Sequence, residues 1–153
     1  MEQHREKIEH YGVIMEGMGL SPVAARVFVY LLLSPNQLVT FDDLVNYFNV
    51  SKSAISNAIK WLTTSQMIEA KTIGGQRKRY FSADFKVFYN EQQMSQKFSL
   101  MHTLLDDVRA TRGLDDEFGK ELDNISTLYK MLMVEIPIII ERWKRMTDFD
   151  KEK

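Results

Sequence analysis

The chain has 153 residues, of which 44% are hydrophobic and 27% are charged, a composition that suits one domain with a buried core and excludes general disorder. It contains no cysteine, which excludes disulfide bonds and thiolate metal sites. The start MEQHREKIEH lacks the apolar stretch of a signal peptide, and the apolar runs 27–33 and 131–140 are shorter than the roughly 18 residues of a membrane-spanning helix. We therefore expect a cytoplasmic protein that contacts no membrane.

The charge is distributed unevenly along the chain. The formal net charge is −1, yet residues 51–80 contain six basic residues and a single acid, Glu69, which gives this segment a net charge of +5. The remaining residues together carry −6. A segment with such an excess of basic side chains is a candidate for contact with a polyanion.

Two helices are predicted before the basic segment. The first covers about residues 3–18, where apolar residues recur at helical spacing and Gly19 provides a stop. Ser21 and Pro22 are the N-cap and first residue typical of a second helix, which extends to about Ser34. This second helix is apolar on almost every side, which is expected of a central buried helix.

A short strand at residues 38–39 is predicted to lead into a third helix, which begins after Thr40 and reaches Phe48. Asp43 follows Thr40 by three residues and can therefore contribute to a capping box. Asn49 is suited to the turn that follows, because asparagine tolerates the left-handed conformation that closes a helix.

A fourth helix is predicted from Ser51, its N-cap, to about Ser65. Its buried stripe consists of Ile55, Ile59 and Leu62, which recur at steps of four and three. The opposite face carries small polar and basic residues suited to a DNA major groove: Ser51, Lys52, Ser53, Ser56, Asn57 and Lys60. Their amide and hydroxyl groups can bind base edges, and their ammonium groups can bind phosphates. The alternative is a solvent-exposed face that happens to carry two lysines.

A β-hairpin is predicted to follow this helix, with strands at about residues 67–73 and 79–82. Gly74 and Gly75 should supply the positive backbone angles of its tight turn. Three bases lie at or beside the turn: Arg77, Lys78 and Arg79. They could contact phosphates or an adjacent minor groove, whereas the alternative is that they only keep an exposed hairpin solvated.

Two long helices are predicted in the rest of the chain, over residues 84–112 and 115–146, with Gly113 between them. Apolar residues of the second alternate steps of four and three, which is typical of a helix that packs against another. The residues predicted to form a homodimer interface are Leu122, Ile125, Tyr129, Leu132, Ile136, Ile139 and Trp143. The alternative is an intramolecular bundle in a monomer. Pro137 should kink the helix one turn earlier.

Aromatic and methionine side chains are frequent where the hairpin meets the long helices. The residues predicted to line a small-molecule effector pocket are Phe81, Phe85, Phe88, Tyr89, Met94 and Phe98. Such a pocket could couple a ligand to DNA binding. The alternative is that these side chains are simply part of a core.

An enzyme is not expected. The three histidines, His4, His10 and His102, are scattered, and the sequence has neither a glycine-rich phosphate loop nor a nucleophile elbow. We therefore predict no catalytic residue, no metal site and no cofactor.

The predicted fold is mainly α with a small β-hairpin, a winged helix-turn-helix followed by long helices that form a dimerisation region. Residues 1–20 are predicted to be an N-terminal helix that joins the dimer region, residues 21–83 the DNA-binding domain, and residues 84–153 the dimerisation region. The function predicted from these features is DNA binding by a homodimer at a pseudo-palindromic operator. The alternative is a winged-helix module that binds protein without binding DNA.

Residues 44–81 resemble the MarR superfamily of transcriptional regulators, through the run NVSKSAISNAIKWL at 49–62 and Met67-Ile68 at the start of the wing. The surrounding long helices are similar to those of its GbsR-like branch. This resemblance implies a homodimeric repressor or activator whose fourth helix enters the major groove. It also implies the sensing of a small molecule. Many wings of the superfamily carry an aspartate and arginine pair at the tip, whereas this chain has Gly74-Gly75-Gln76-Arg77.

Overall fold

A computed structural model describes residues 1–35, 38–74 and 78–147, with only the backbone at Val87. The chain divides into two compact units, Met1–Val87 and Phe88–Lys153. Within the described ranges, no helix combines the length and the apolar character required to cross a bilayer.

The described residues of the first unit form four α-helices and a small sheet. In chain order these are α1 (Arg5–Gly17, preceded by a 3₁₀ turn at Glu2–His4), α2 (Pro22–Leu33), β1 (Val39–Thr40), α3 (Phe41–Phe48), α4 (Lys52–Thr64), β2 (Ile68–Thr72) and β3 (Arg79–Ala83). The three strands are antiparallel in the order β1-β3-β2. The predicted helices and strands of this unit are confirmed within about two residues at each end.

Helix α2 lies at the centre of this unit, as its apolar composition predicts. Seven of its twelve residues are buried. The largest fully buried side chains around it come from three other helices and include Ile8, Leu44, Ile55 and Leu62. Because Ile55 and Leu62 are both 0% exposed, the buried face of α4 is fixed by the core.

The ends of α3 and α4 follow the predicted local signals. The Thr40 side chain accepts a hydrogen bond from the Asp43 backbone at 3.2 Å, and the Asp43 carboxylate accepts one from the Thr40 backbone at 2.8 Å, which completes the capping box. Asn49 is left-handed at φ 50° and ψ 41°. Ser51 caps α4 through a bond from the Ala54 backbone at 3.2 Å. Ser21 also occupies an N-cap position, but its side chain accepts no capping bond.

The second unit is a pair of helices, α5 (Glu91–Arg112) and α6 (Glu117–Thr147), which pack against each other. The prediction that the first of them begins at Asp84 is wrong. A 3₁₀ turn at Lys86–Phe88 comes first, and α5 starts only after Asn90, whose side chain accepts a bond from the Gln93 backbone at 3.1 Å. Side-chain capping at Asn90 therefore sets the helix start, which lies seven residues after the predicted one.

Candidate nucleic-acid interface

The predicted polar face of α4 lies on the surface. All six residues assigned to it are exposed: Ser51, Lys52, Ser53, Ser56, Asn57 and Lys60. Ile55, Ala58 and Leu62, on the other side of the helix, are at most 3% exposed. The core therefore holds the helix so that the amide, hydroxyl and ammonium groups point away from the unit.

Ser51 differs from the other residues of this face, because its hydroxyl already has local partners. Its Oγ accepts the capping bond from Ala54 and lies 2.9 Å from the Oγ of Ser53. It therefore holds the start of the helix in place, and the hydroxyl of Ser53 is positioned by the same contact. Ser56, Asn57 and the two lysines make no such bond with any residue that the structure describes.

The wing is the hairpin formed by β2 and β3. Lys78 and Arg79 are exposed, and Arg79 is the first residue of β3, opposite Thr72. Arg77, Gln76 and Gly75 lie outside the described residues, so their predicted roles stay predictions. The expectation of a positive φ at Gly74 is wrong, because that residue keeps an ordinary backbone angle.

A groove of about 370 Å³ joins the wing to α4 within the first unit. Its apolar floor includes Phe41 and Ile59, while Ser56 of α4 and both Lys78 and Arg79 of the wing lie along it. The groove thus brings one predicted helix contact and two predicted wing contacts onto a single surface. Asp42, the second residue of α3, lies in the same groove.

Most of the described basic side chains of α4 and the wing form no ion pair with another described residue. Lys71 pairs with Glu69, with Nζ and Oε1 2.5 Å apart. Lys52, Lys60, Lys78 and Arg79 form no ion pair with any described residue. Four cations therefore remain available to an external anion.

The residues assigned to a dimer interface differ in how far the second unit buries them. Leu122 is buried and Tyr129 stacks on Phe98 with ring centroids 6.0 Å apart, whereas Ile125 and Ile139 are 45% and 53% exposed. The half-buried ones are Tyr129, Leu132, Ile136 and Trp143. Packing against α5 thus uses part of the predicted seam and leaves the rest on the surface.

The residues assigned to an effector pocket belong to different units. Phe81 is 4% exposed in the core of the first unit, and Phe85, also in that unit, is 55% exposed. In the second unit Phe88 is exposed, while the half-buried ones are Tyr89, Met94 and Phe98. Tyr89 packs against Trp143 at 5.5 Å between ring centroids. The pocket stays a prediction.

A polar network in the second unit was not predicted from the sequence. The hydroxyl of Ser126 donates to the Asp106 carboxylate, and it lies 2.6 Å from Nδ1 of His102. Ser126 is only 4% exposed. Its position 20 residues from Asp106 gives no local signal, because the contact depends on the register of α5 against α6.

A helix-turn-helix whose second helix exposes a polar face, followed by an antiparallel hairpin, defines the winged-helix class of fold. No family model matches the chain, and no curated protein matches it. It is similar to the crystal structure of a transcriptional regulator, with 19% identity and a TM-score of 0.79 over 94% of this chain and 99% of that one.

Two further solved structures are less similar. The Staphylococcus aureus MepR–DNA complex has 15% identity and a TM-score of 0.44 over 86% of this chain and 91% of that one. The adhesin competence repressor AdcR from Streptococcus pyogenes has 18% identity and a TM-score of 0.39 over 87% of this chain and 98% of that one. Only the similarity at 0.79 is high enough to show a shared fold.

Proposed function

We propose that this chain is a DNA-binding transcriptional regulator. The observation that carries the proposal is the surface formed by α4 and the wing, where exposed amide and hydroxyl groups lie beside four cations that form no ion pair with a described residue. The likeness in fold to a transcriptional regulator agrees with it. The proposal includes no catalytic residue and no cofactor. It places the protein in the cytoplasm.

In this proposal α4 enters the major groove and the wing contacts the flanking backbone. Asn57 is suited to a base edge, because a side-chain amide can both donate to and accept from adenine. Lys52 and Lys60 are suited to phosphates, which determine affinity and its dependence on salt. Lys78 and Arg79 would extend the same contact along the duplex.

We propose a homodimer because the second unit leaves much apolar surface uncovered. No residue of α5 is buried, and α6 buries only Gly119, Leu122, Ser126 and Ile140. Large apolar side chains on both helices are exposed, among them Leu104 at 55%, Leu128 at 49% and Val134 at 59%. Surfaces of this kind mark an interaction site more often than a monomer's exterior. We also propose that the helix within residues 1–20 contributes to this dimer, as the sequence predicts.

A dimer would place two copies of α4 on two half-sites. Two-fold symmetry of the protein is then matched by a pseudo-palindromic operator whose half-sites lie about one helical turn apart. A stoichiometry of one protomer per operator at saturation would contradict this part of the proposal.

Control by a small-molecule effector, and a place in the GbsR-like branch of the MarR superfamily, rest on the sequence resemblance. In the first unit, the exposed side chain of Phe85 offers apolar surface that a ligand could cover. A thermal-shift screen of metabolites tests the effector, since a ligand that binds the folded state raises the melting temperature.

The rival function is a winged-helix module whose polar face binds a protein. Fluorescence anisotropy with a random-sequence duplex separates the two, because a DNA reader should bind at low salt and lose affinity as salt rises. Lys60→Ala should weaken binding and reduce the slope of log K against log salt by about one unit. Lys97→Ala, an exposed lysine of α5, is the matched control and should change neither. Absence of binding at low salt would refute the proposed function.

A further inference from the structure

Asp42 is an acid in a groove whose other charged residues, among those that the structure describes, are basic. It is the second residue of α3 and is exposed. The same groove is lined by Lys78 and Arg79 of the wing and by Ser56 of α4. An anion in this position faces the surface on which the phosphates of a duplex would lie.

The local structure of α3 does not require this carboxylate. Asp43, its neighbour, completes the capping box with Thr40. Asp42 forms no hydrogen bond or ion pair with a described residue. Both acids favour the positive end of the helix dipole, but Asp43 already supplies that effect. The side chain of Asp42 is therefore free to act on whatever occupies the groove.

Building on the proposed function, we propose that Asp42 is a specificity-determining residue that weakens binding to DNA of arbitrary sequence. Sequence-independent affinity comes from phosphates gathered around lysine and arginine. A backbone drawn to Lys78 and Arg79 also approaches Asp42, which repels it. On a selected duplex the same carboxylate can accept a hydrogen bond from the amino group of a cytosine, and this bond offsets the repulsion.

Substituting Asp42 by Asn tests this inference, because the shape of the side chain is kept and its charge is removed. Affinities are measured by fluorescence anisotropy for a random-sequence duplex and for a duplex recovered by in vitro selection on the unaltered protein. Repulsion between unit charges in contact in water corresponds to about a fivefold change in an equilibrium constant. We expect Asp42→Asn to bind the random duplex about fivefold more tightly, and to bind the selected duplex with less than about a twofold change.

Asp107→Asn is the matched control, since it removes the same charge from an exposed position of α5. It should leave both affinities unchanged. Asp42→Ser, which puts a small neutral side chain at the same exposed position, provides a second variant if Asp42→Asn folds poorly. Unchanged binding of the random duplex, or equal tightening on both duplexes, would overturn the inference while leaving the proposed function intact. Failure of the unaltered protein to bind either duplex would overturn both.

Discussion

Arg26 of α2 crosses α1 directly over Gly12. Its Nε lies 2.6 Å from Oε2 of Glu9 and its Nη1 lies 2.5 Å from Oε1 of Glu16, so the guanidinium bridges two carboxylates seven residues apart. A Cβ atom at position 12 would lie 2.9 Å from Cγ of Arg26, which is too close for both to stay in place. The absence of a side chain at Gly12 thus permits the bridge, whose hydrogen bonds to Glu16 and Glu9 raise the pKa of Arg26.

The first prediction concerns this contact. Gly12→Ala removes the conformational cost of glycine in a helix, a gain of roughly 0.5–1 kcal/mol. It also displaces Arg26, so we expect no net gain in the unaltered protein. In an Arg26→Ala background the same substitution should stabilise by the full amount. Urea unfolding of the unaltered protein, the two single variants and the double variant measures the coupling between positions 12 and 26. Equal effects of Gly12→Ala in both backgrounds would contradict the prediction.

The second prediction concerns the turn between α3 and α4. Asn49 adopts φ 50°, where a residue with an ordinary Cβ costs about 1 kcal/mol or more. Asn49→Ala should therefore destabilise the fold by about 1 kcal/mol, while Asn49→Gly should be close to neutral. Thermal unfolding of the two variants tests this prediction. An alanine variant as stable as the glycine variant would show that the turn does not require a residue that tolerates a positive φ.

The third prediction separates base reading from phosphate binding on α4. Asn57→Ala should cost about 1–3 kcal/mol on a selected operator and little on random DNA, because only a base edge distinguishes the two. Competition binding with both duplexes measures the ratio. Lys60→Ala supplies the contrast, since loss of a phosphate contact should weaken both duplexes alike. If Asn57→Ala lowered the affinity for both duplexes equally, Asn57 would not be a base contact.

The fourth prediction concerns the exposed part of the α6 seam. Ile139 is 53% exposed, and a charge there would be buried without a partner in a dimer. Ile139→Asp should therefore give a monomer by sedimentation equilibrium while keeping its helical circular dichroism. Lys130→Asp, at an exposed polar position of the same helix, should leave the dimer intact. A dimeric Ile139→Asp protein would place the interface elsewhere.

The fifth prediction concerns pH. The Gly119 backbone N–H donates to Oδ1 of Asp116 at 2.7 Å, and this bond, together with the charge of Arg112, holds the pKa of Asp116 below its ordinary value of 3.8. A carboxyl with a lowered pKa stabilises the fold above its unfolded pKa, and this stabilisation is lost as pH falls through the folded pKa. Stability should therefore fall below about pH 4, and less so in Asp116→Asn.

Urea midpoints at neutral pH and at about pH 3 measure this difference. Asp107→Asn serves as the control, because Asp107 forms no ion pair or hydrogen bond with a described residue. If Asp116→Asn and Asp107→Asn lose stability equally on acidification, the bond from Gly119 does not contribute to the acid sensitivity.

The features that sequence reasoning predicted correctly are those with local causes. The capping box at Thr40, the left-handed turn at Asn49 and the orientation of α4 all depend on residues within about one heptad of one another. Each of these features can therefore be predicted from the propensity and periodicity of neighbouring residues.

The features that it missed depend on how distant segments meet. Asp42 is recognisable as part of the groove only once the wing is placed beside α3, and Ser126 meets Asp106 only in one register of α5 and α6. The start of α5 was missed for another reason: neither the 3₁₀ turn at Lys86–Phe88 nor the side-chain cap at Asn90 was predicted. A side-chain cap of this kind fixes where a helix begins.

Helix α5 has 22 residues and buries none of them within a single chain. A helix gains most of its stability from packing, and α5 packs against α6 without any residue becoming fully buried, so a second copy in the proposed homodimer would add to its stability. In the proposed homodimer, the helical order of residues 91–112 would then increase with the concentration of the protein. Amide hydrogens of α5 should exchange faster on dilution than those of α2, making the abundance of the protein itself an input to its activity.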